Sequence, residues 1–560
     1  MRGIAGANGD RRGGGAVAPR EGCGLSWRPP TVLPQFEVQA VDIAVLLVYV
    51  LGPRIVFGWL LAKRVSKGSE AYFLAGKHLK WPLIGMSFYV SNMSGSSFVG
   101  LPGSGYNDGV AVYNYEWLPA PILVFFGVFL LPFYLRAEVY TAPQFLEVRY
   151  GRSSRLLFSG FLLLANIFID AVAALFAGAT VFQVLFPGIP LWVTIALASL
   201  VAGLYIVFGG LDAVVINDAI QATVIMIGGA VISWLTWQSI PSWQAVREAS
   251  PDLALRLFHP PDDPVMPWPG LFGVAIIGIY FWTMNQFVIQ RALGAKNLDH
   301  ARWGSLFAAL LKLPNLFLLV LPGLMATTLY PDLERPDLVF PTLAFDLLPV
   351  GWRGVILAAL AAAILSSLEA IFNSASTLFT MDFVRTLRPA TSDDRLVWIG
   401  RAATIGFMAL AAAWAPQIAR FPTLWQYLQS ILAYVTPPIV VVFLLGIFWP
   451  RGNRHGALWT MALGLPLGAG VWLLVEILGR FELQFLYGAA LLFGLSCLLF
   501  VAVSLATEPP PAERAESYTW RPRLWREESR ELAAKPALAN YRYLSLALLA
   551  LTVGILVWWV

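Results

Sequence analysis

Apolar residues fall in long runs broken by short polar clusters, and a run of about twenty is long enough for a helix to cross a bilayer. Fourteen such runs are predicted, at 41–62, 81–101, 117–135, 154–183, 190–208, 213–238, 270–290, 303–330, 354–381, 397–415, 423–449, 455–478, 482–506 and 541–560. They lack the ten-residue in–out alternation of barrel strands. Helix is then the spanning form, because it satisfies every backbone group within its own segment. The pattern predicts an all-α, multi-pass integral protein of a cell inner membrane. The polar stretches divide it further. Residues 1–40, rich in Gly and Arg with no apolar run before Val41, read as a disordered tail, or as the product of a start codon assigned too early, and not as a signal peptide. Residues 41–506 hold the helices, with a core at about 81–449. Residues 507–540 open with Pro509-Pro510-Pro511, mix Arg with Glu, and read as a solvated cytoplasmic linker before the last span at 541–560.

Composition agrees with this class. Of 560 residues, 58% are apolar and 13% charged, whereas soluble domains carry about 25% charged residues. The net charge of +5 is spread over many loops, so no basic patch points to nucleic acid. Two cysteines, Cys23 and Cys497, make no disulfide framework, and four scattered histidines argue against a zinc enzyme. Alternate loops, starting after the first span, hold 25 Lys and Arg; the opposite set holds six, from Arg247 to Arg480. The basic side is cytoplasmic by the positive-inside rule, which puts both termini outside. The arginines of the tail, Arg2 to Arg28, run against that assignment.

With charges in the first few residues of a span counted with the loops, as Arg155, Arg401 and Arg542 are, few remain within the spans: Arg54 and Lys312, with Glu116 at a span entrance, Asp170, Asp218, Glu369 and Glu476. Each costs about 2.5–3.5 kcal/mol on insertion scales, so each is a functional candidate. Arg54 and Glu476, in peripheral spans, can snorkel or pair locally. Lys312 is nearly ten residues from either end of its run and has no such outlet. Asp218 and Glu369 can equally belong to buried structural pairs. Two spans read as broken: one at Ser91-Asn92-Met93-Ser94-Gly95-Ser96-Ser97, the other at Trp282-Thr283-Met284-Asn285-Gln286. Irregular backbone at membrane depth is tolerated where it lines a cavity, and its freed carbonyls can hold a cation. The two breaks are five spans apart, the spacing of an inverted repeat of five helices. In the ninth span Ala363, Ser366 and Ser367 share a face. Two hydroxyls there suit a hard cation such as sodium; tight helix packing by small residues is the competing reading.

Several stretches together resemble the solute:sodium symporters, most closely the sodium–glucose/galactose cotransporters. They are Phe73-Leu74-Ala75-Gly76, Ser91-Asn92-Met93-Ser94, Gly103-Ser104-Gly105-Tyr106, Tyr115-Glu116-Trp117, and Gly209-Gly210-Leu211 through Asp218. Asn285-Gln286 with Gln290-Arg291, Ala361 through Ser367, Thr380-Met381-Asp382 and Trp425-Gln426-Tyr427-Leu428-Gln429 continue the series over about 70–450. The resemblance implies a LeuT-like fold, a 5+5 inverted-repeat core with one helix before it and three after, working by sodium-driven alternating access. It implies a sodium site at Val90, Met93, Ala363, Ser366 and Ser367, and a sugar site at Asn92, Glu116, Asn285, Lys312 and Gln429. Tyr115 and Trp425 would be gating aromatics, and Asp218 an acid on the sodium exit path. Asp218 with Glu369, three residues after Ser366, would be a second cation site for sodium or a proton. The sequence departs from the family pattern in four ways. Ser97 and Pro119 stand where sugar-contacting glutamine and serine occur, Phe287 replaces an inner-gate tyrosine, and Asp170 and Glu369 replace small or neutral polar residues.

The implied set of donors and acceptors suits a sugar or polyol, whose hydroxyls need both. A sibling reading, symport of an amino or organic acid such as proline or sialic acid, stays open, with Lys312 as the cation for a carboxylate. A membrane enzyme would need a Ser/His dyad or clustered acids, and a transport-like sensor an appended signalling domain; neither pattern is present.

Overall fold

The computed structural model describes residues 39–48, 77–185, 188–206, 211–250, 253–333, 335–420 and 424–559. The tail to residue 38 and most of the first predicted span lie outside them. From residue 81 onward every predicted span is occupied by helix. Among the described residues eight helices are long and apolar enough to cross a membrane, and ten if each of two bent pairs is one span; Leu191–Leu200 and Tyr541–Val557 are shorter apolar helices. The helices that carry the argument, labelled in chain order, are α1 (Trp81–Asn92), α2 (Gly95–Asp108), α3 (Arg152–Thr180), α4 (Leu211–Ser239), α5 (Leu271–Thr283), α6 (Gln286–Leu293), α7 (Leu298–Leu329), α8 (Trp352–Leu387), α9 (Leu424–Val435), α10 (Pro522–Ala533) and α11 (Tyr541–Val557).

Both expected breaks are present. The Gly/Ser run has poor helix propensity and hydroxyls that compete for backbone groups. The chain accordingly leaves helix at Met93 (φ −84°, ψ 63°) and is extended at Ser94 before α2 begins. At Met284-Asn285 the helix Trp268–Thr283 meets α6 with a bend of 48°. A third break, also 48°, separates Tyr427–Val435 from Pro437–Phe448, where Pro437 and Pro438 remove backbone donors.

Lipid is as apolar as leucine, so helices in a bilayer associate through close packing and polar contacts. The α1–α7 crossing shows this. A Cβ on Gly85 would sit 2.9 Å from the Gly304 carbonyl oxygen, and one on Gly304 would sit 2.6 Å from the Ile84 side chain. Glycine at both positions lets the backbones approach and draws the α7 lysine toward the break in α1. A polar lock ties α3, α8 and the helix Ala142–Tyr150. The buried Asp382 carboxylate accepts from Arg155 (2.7 Å), Ser159 (2.6 Å) and Thr141 (3.0 Å), and Arg155 also pairs with Glu147 at 2.5 Å.

Loop contacts join segments that loop charge assigns to one side. Lys296 N–H donates to the Leu79 carbonyl, and Arg152 to the Thr386 carbonyl; on the other side Tyr106 donates to the Tyr330 carbonyl and Leu257 N–H to the Trp559 carbonyl. Arg149, Arg155, Arg291 and Arg302 are among the 25 basic residues counted with the loops, yet they do not face solvent. All four are buried, because helices run past the apolar segments and give each guanidinium a partner.

The stretch 507–540, expected as a linker, carries structure of its own. The segment contains α10, which docks on the start of α7. Glu528 pairs with Arg302 (2.5 Å) and Arg542 (2.7 Å) and accepts from Tyr541 (2.8 Å), while Lys535 pairs with Asp299 (2.5 Å). The Arg542 guanidinium lies 3.5 Å from the Trp525 ring centroid. Its charges pattern one helical face toward these partners, which a loop reading of mixed Arg and Glu overlooks. Burial pushes the Glu528 carboxyl up, but Arg302 and the hydrogen bonds outweigh it and hold it below the usual glutamate range. A group depressed on folding stabilises above its unfolded pKa and loses that contribution as pH falls through the folded value. The docking of α10 is therefore complete at neutral pH and weakens below about pH 4. Glu528→Gln is expected to raise tryptic cleavage at Arg523, Arg526 and Arg530 severalfold at neutral pH, and unchanged cleavage would contradict this latch.

Candidate solute and cation site

A helix ending at Asn92 leaves its last four carbonyls without intrahelical donors. Tyr89 accepts from Met93 N–H, and Asn92 accepts from the Ser97 hydroxyl at 2.7 Å. Among the described residues this leaves the carbonyls of Val90 and Ser91 open to an outside partner. Val90, Met93 and Ala363 are fully buried, and Ser366 and Ser367 nearly so. Ser367 donates to the Ala363 carbonyl (2.8 Å) and lines the same cavity as Ser91 and Ser94. Ser366 turns the other way and donates to Asp218.

The cavity, of about 100 Å3, lies at the break. Asn92 and Glu116 line it, with Lys312 behind them. The fully buried Lys312 ammonium pairs with the Glu116 carboxylate at 2.5 Å and donates to Asn92 Oδ1. It also stands 5.9 Å from the Trp282 ring centroid. Asn315, absent from the expected site, completes the cluster: its amide donates to Glu116 at 2.6 Å and its oxygen accepts from Tyr89 at 3.0 Å. The signal for Asn315 was available, since it is a polar residue in an apolar run three places after Lys312 and so shares its face. Gln429 lines the cavity; Asn285 is buried beside it, against Asp170.

Tyr115 and Trp425 meet edge to face with centroids 5.4 Å apart. Together with Gln429 they line both this cavity and a second one of about 380 Å3. The aromatic pair is thus a partition between the two. Phe287 and Phe281, centroids 5.7 Å apart, also line the inner cavity. Ligand pockets usually offer about 300–1,000 Å3, and this cavity is smaller than that range.

Asp218 is fully buried where α1, α4 and α8 meet. It accepts from Ser87 and Ser366 and pairs with Arg291 at 3.3 Å, while Arg291 Nε donates to Ser87 at 2.9 Å. Glu369 is buried on α8, one turn along from Ser366. Arg291, one residue beyond the span predicted at 270–290, supplies the charge opposite Asp218.

Residues 72–464 match the model of the sodium:solute symporter family. The chain belongs to that family. It is 35% identical to sodium/glucose cotransporter 4 of Danio rerio over 91% of this chain and 86% of that protein. It is 33% identical to sodium/myo-inositol cotransporter 2 of Oryctolagus cuniculus over 88% of this chain and 80% of that one. A solved sodium-coupled sialic acid symporter in a substrate-bound, outward-open state superimposes with a TM-score of 0.73. It covers 85% of this chain and all of the other at 21% identity, which shows a shared fold. The family match spans the α1–α2 break, the Lys312–Glu116 pair and the Tyr115–Trp425 partition.

Proposed function

We propose that this protein is a sodium-coupled symporter of a sugar or polyol that works by alternating access. The observation that carries the reading is the cavity at a broken helix, where Asn92, Glu116, Lys312 and Gln429 gather donors and acceptors suited to hydroxyls. Sodium would bind between the carbonyls of Val90 and Met93 on one side and Ala363, Ser366 and Ser367 on the other, with Asp218 on its exit path. Asn285 would join the solute site through the cavity wall. Tyr115 and Trp425 would form the outer gate. The fold reads as a LeuT-like 5+5 inverted repeat within fourteen spans of an inner membrane, both termini outside, and its work is transport and not enzymatic catalysis. The relatives named for glucose and myo-inositol support the solute class. The structural neighbour, named for sialic acid, favours a second reading in which the solute carries a carboxylate.

The deciding experiment is uptake of labelled hexoses, inositol, proline and sialic acid into proteoliposomes with and without an inward sodium gradient. Sodium-stimulated uptake of a hexose or inositol is expected. Ser366→Ala with Ser367→Ala is expected to remove the sodium stimulation while the protein still inserts. Unaltered sodium dependence in that double variant would place the cation elsewhere.

A further inference from the structure

The inner cavity has an acidic side chain that the solute site above does not use. Asp170 lies in the wider, π-type turn Asn166–Ala171 within α3. Such a turn inserts an extra residue and re-aims the side chains around it, and it recurs at functional positions. In this protein Asp170 lines the cavity as a half-buried residue, while Ile169 and Ala171 on either side are buried.

The charge count follows from the lining. Among the described residues Glu116 and Asp170 are the ionisable acids lining the cavity, and Lys312 already pairs with Glu116. Among the described residues no basic side chain pairs with Asp170; its neighbour is the Asn285 amide, with Tyr280 and Tyr427 nearby. Two further acceptors, Asn285 Oδ1 and Gln429 Oε1, are buried without a hydrogen-bond donor among the described residues. A buried acceptor left without a donor is costly, so a surface with surplus acceptors suits a ligand that donates.

We propose that Asp170 is a solute-contact residue that accepts from solute hydroxyls and makes the cavity select neutral polyols over solutes bearing a carboxylate. This rests on the symport reading above and narrows its solute class. One sodium ion beside the cavity balances the single uncompensated carboxylate, so sodium and a neutral polyol together leave no net charge. A carboxylate solute would bring a second negative charge against Asp170, and like charges at close range disfavour binding. Sodium coupling and solute selection then share one electrostatic account.

The test uses the full-length protein in proteoliposomes with an inward sodium gradient and the neutral solute identified by the panel. D-Glucuronate and D-galacturonate serve as carboxylate competitors against D-glucose, D-galactose and myo-inositol. Wild type should be inhibited by neutral sugars or inositol at concentrations at least about tenfold below those of the uronates. Asp170→Asn, which keeps the shape and removes the charge, should raise the apparent KM for the neutral solute by about ten- to a hundred-fold. It should also narrow the gap to the uronates. Sodium-dependent thermal stabilisation of the purified variant checks that it is folded. If a uronate competes with wild type as well as its neutral parent does, the inference is overturned without reliance on any variant. A folded Asp170→Asn protein with unchanged KM and unchanged selectivity overturns it as well. Sodium-driven uptake of a carboxylate solute alone would sink this inference and leave sodium coupling standing. Absence of sodium-driven uptake for every solute would sink the underlying reading too.

Discussion

Lys312→Ala is expected to stop solute uptake and to give the largest loss of stability of any single change in the cavity wall. The lysine is fully buried, and its ammonium holds Glu116 at 2.5 Å and Asn92 beside it. Removing one partner of a buried pair leaves the other charge without compensation, at a cost of about 3–5 kcal/mol. Glu116 would keep Asn315 as a donor, which offsets part of this. A hydrogen bond to a charged group contributes about 1.5–3 kcal/mol, so losing the lysine should reduce uptake by about tenfold to a hundredfold even in protein that remains folded. The double variant Lys312→Met with Glu116→Gln removes both charges and should recover most of the thermal stability, because an uncharged pair carries no desolvation penalty. It should not recover uptake, since the ammonium donor and the carboxylate acceptor are both gone. Melting temperature in detergent and uptake in proteoliposomes separate the two effects. A Lys312→Ala protein of wild-type stability and uptake would show that the pair serves neither the fold nor the solute.

The second large effect is expected at Arg291. This guanidinium is buried at the end of α6 and compensates Asp218, to which Ser87 of α1 and Ser366 of α8 also donate. Arg291→Ala would leave the Asp218 carboxylate buried among three helices, again at about 3–5 kcal/mol. Asp218→Asn alone should be milder than Arg291→Ala, because the amide oxygen still accepts and the guanidinium retains the Ser87 hydroxyl. The pair Arg291→Met with Asp218→Asn should be more stable than Arg291→Met alone, with a coupling of about 1–3 kcal/mol in a double-mutant cycle. Additive losses would show that the two groups do not act on each other. Sodium activation of uptake provides a second readout: removing the Asp218 charge, to which Ser366 donates, should change the apparent sodium affinity, whereas a purely structural role would leave it unaltered.

These expectations also show which parts of the site were legible beforehand. The breaks at Met93-Ser94 and Met284-Asn285 follow from local chemistry, since Gly/Ser-rich and polar stretches are poor helix within apolar runs. Lys312 and Glu116 attract notice as charges where charge is costly, and the structure pairs them. Tyr115 and Trp425 were assigned together only through the family resemblance, and their edge-to-face contact is a product of packing. Arg291 stands one residue beyond the apolar run at 270–290, so run length alone leaves it outside, and α6 carries it into the interior.

By itself the sequence determined that this is a membrane protein of many helices, where those helices break, and which charges must be compensated within them. Those are local properties: run length against bilayer thickness, propensity within a few residues, and the cost of a single buried charge. Tertiary structure alone decided who compensates whom. Arg291 meets Asp218 across 73 residues and Lys312 meets Asn92 across 220, and both pairings depend on the angle and register at which helices cross. It also decided that an extra residue in one turn of α3 carries Asp170 to the cavity, and that α10 is held against α7 by Glu528 and Arg302. Partner identity is set by packing between distant segments, through glycine contacts such as Gly85 with Gly304, and a local pattern of residues does not encode it.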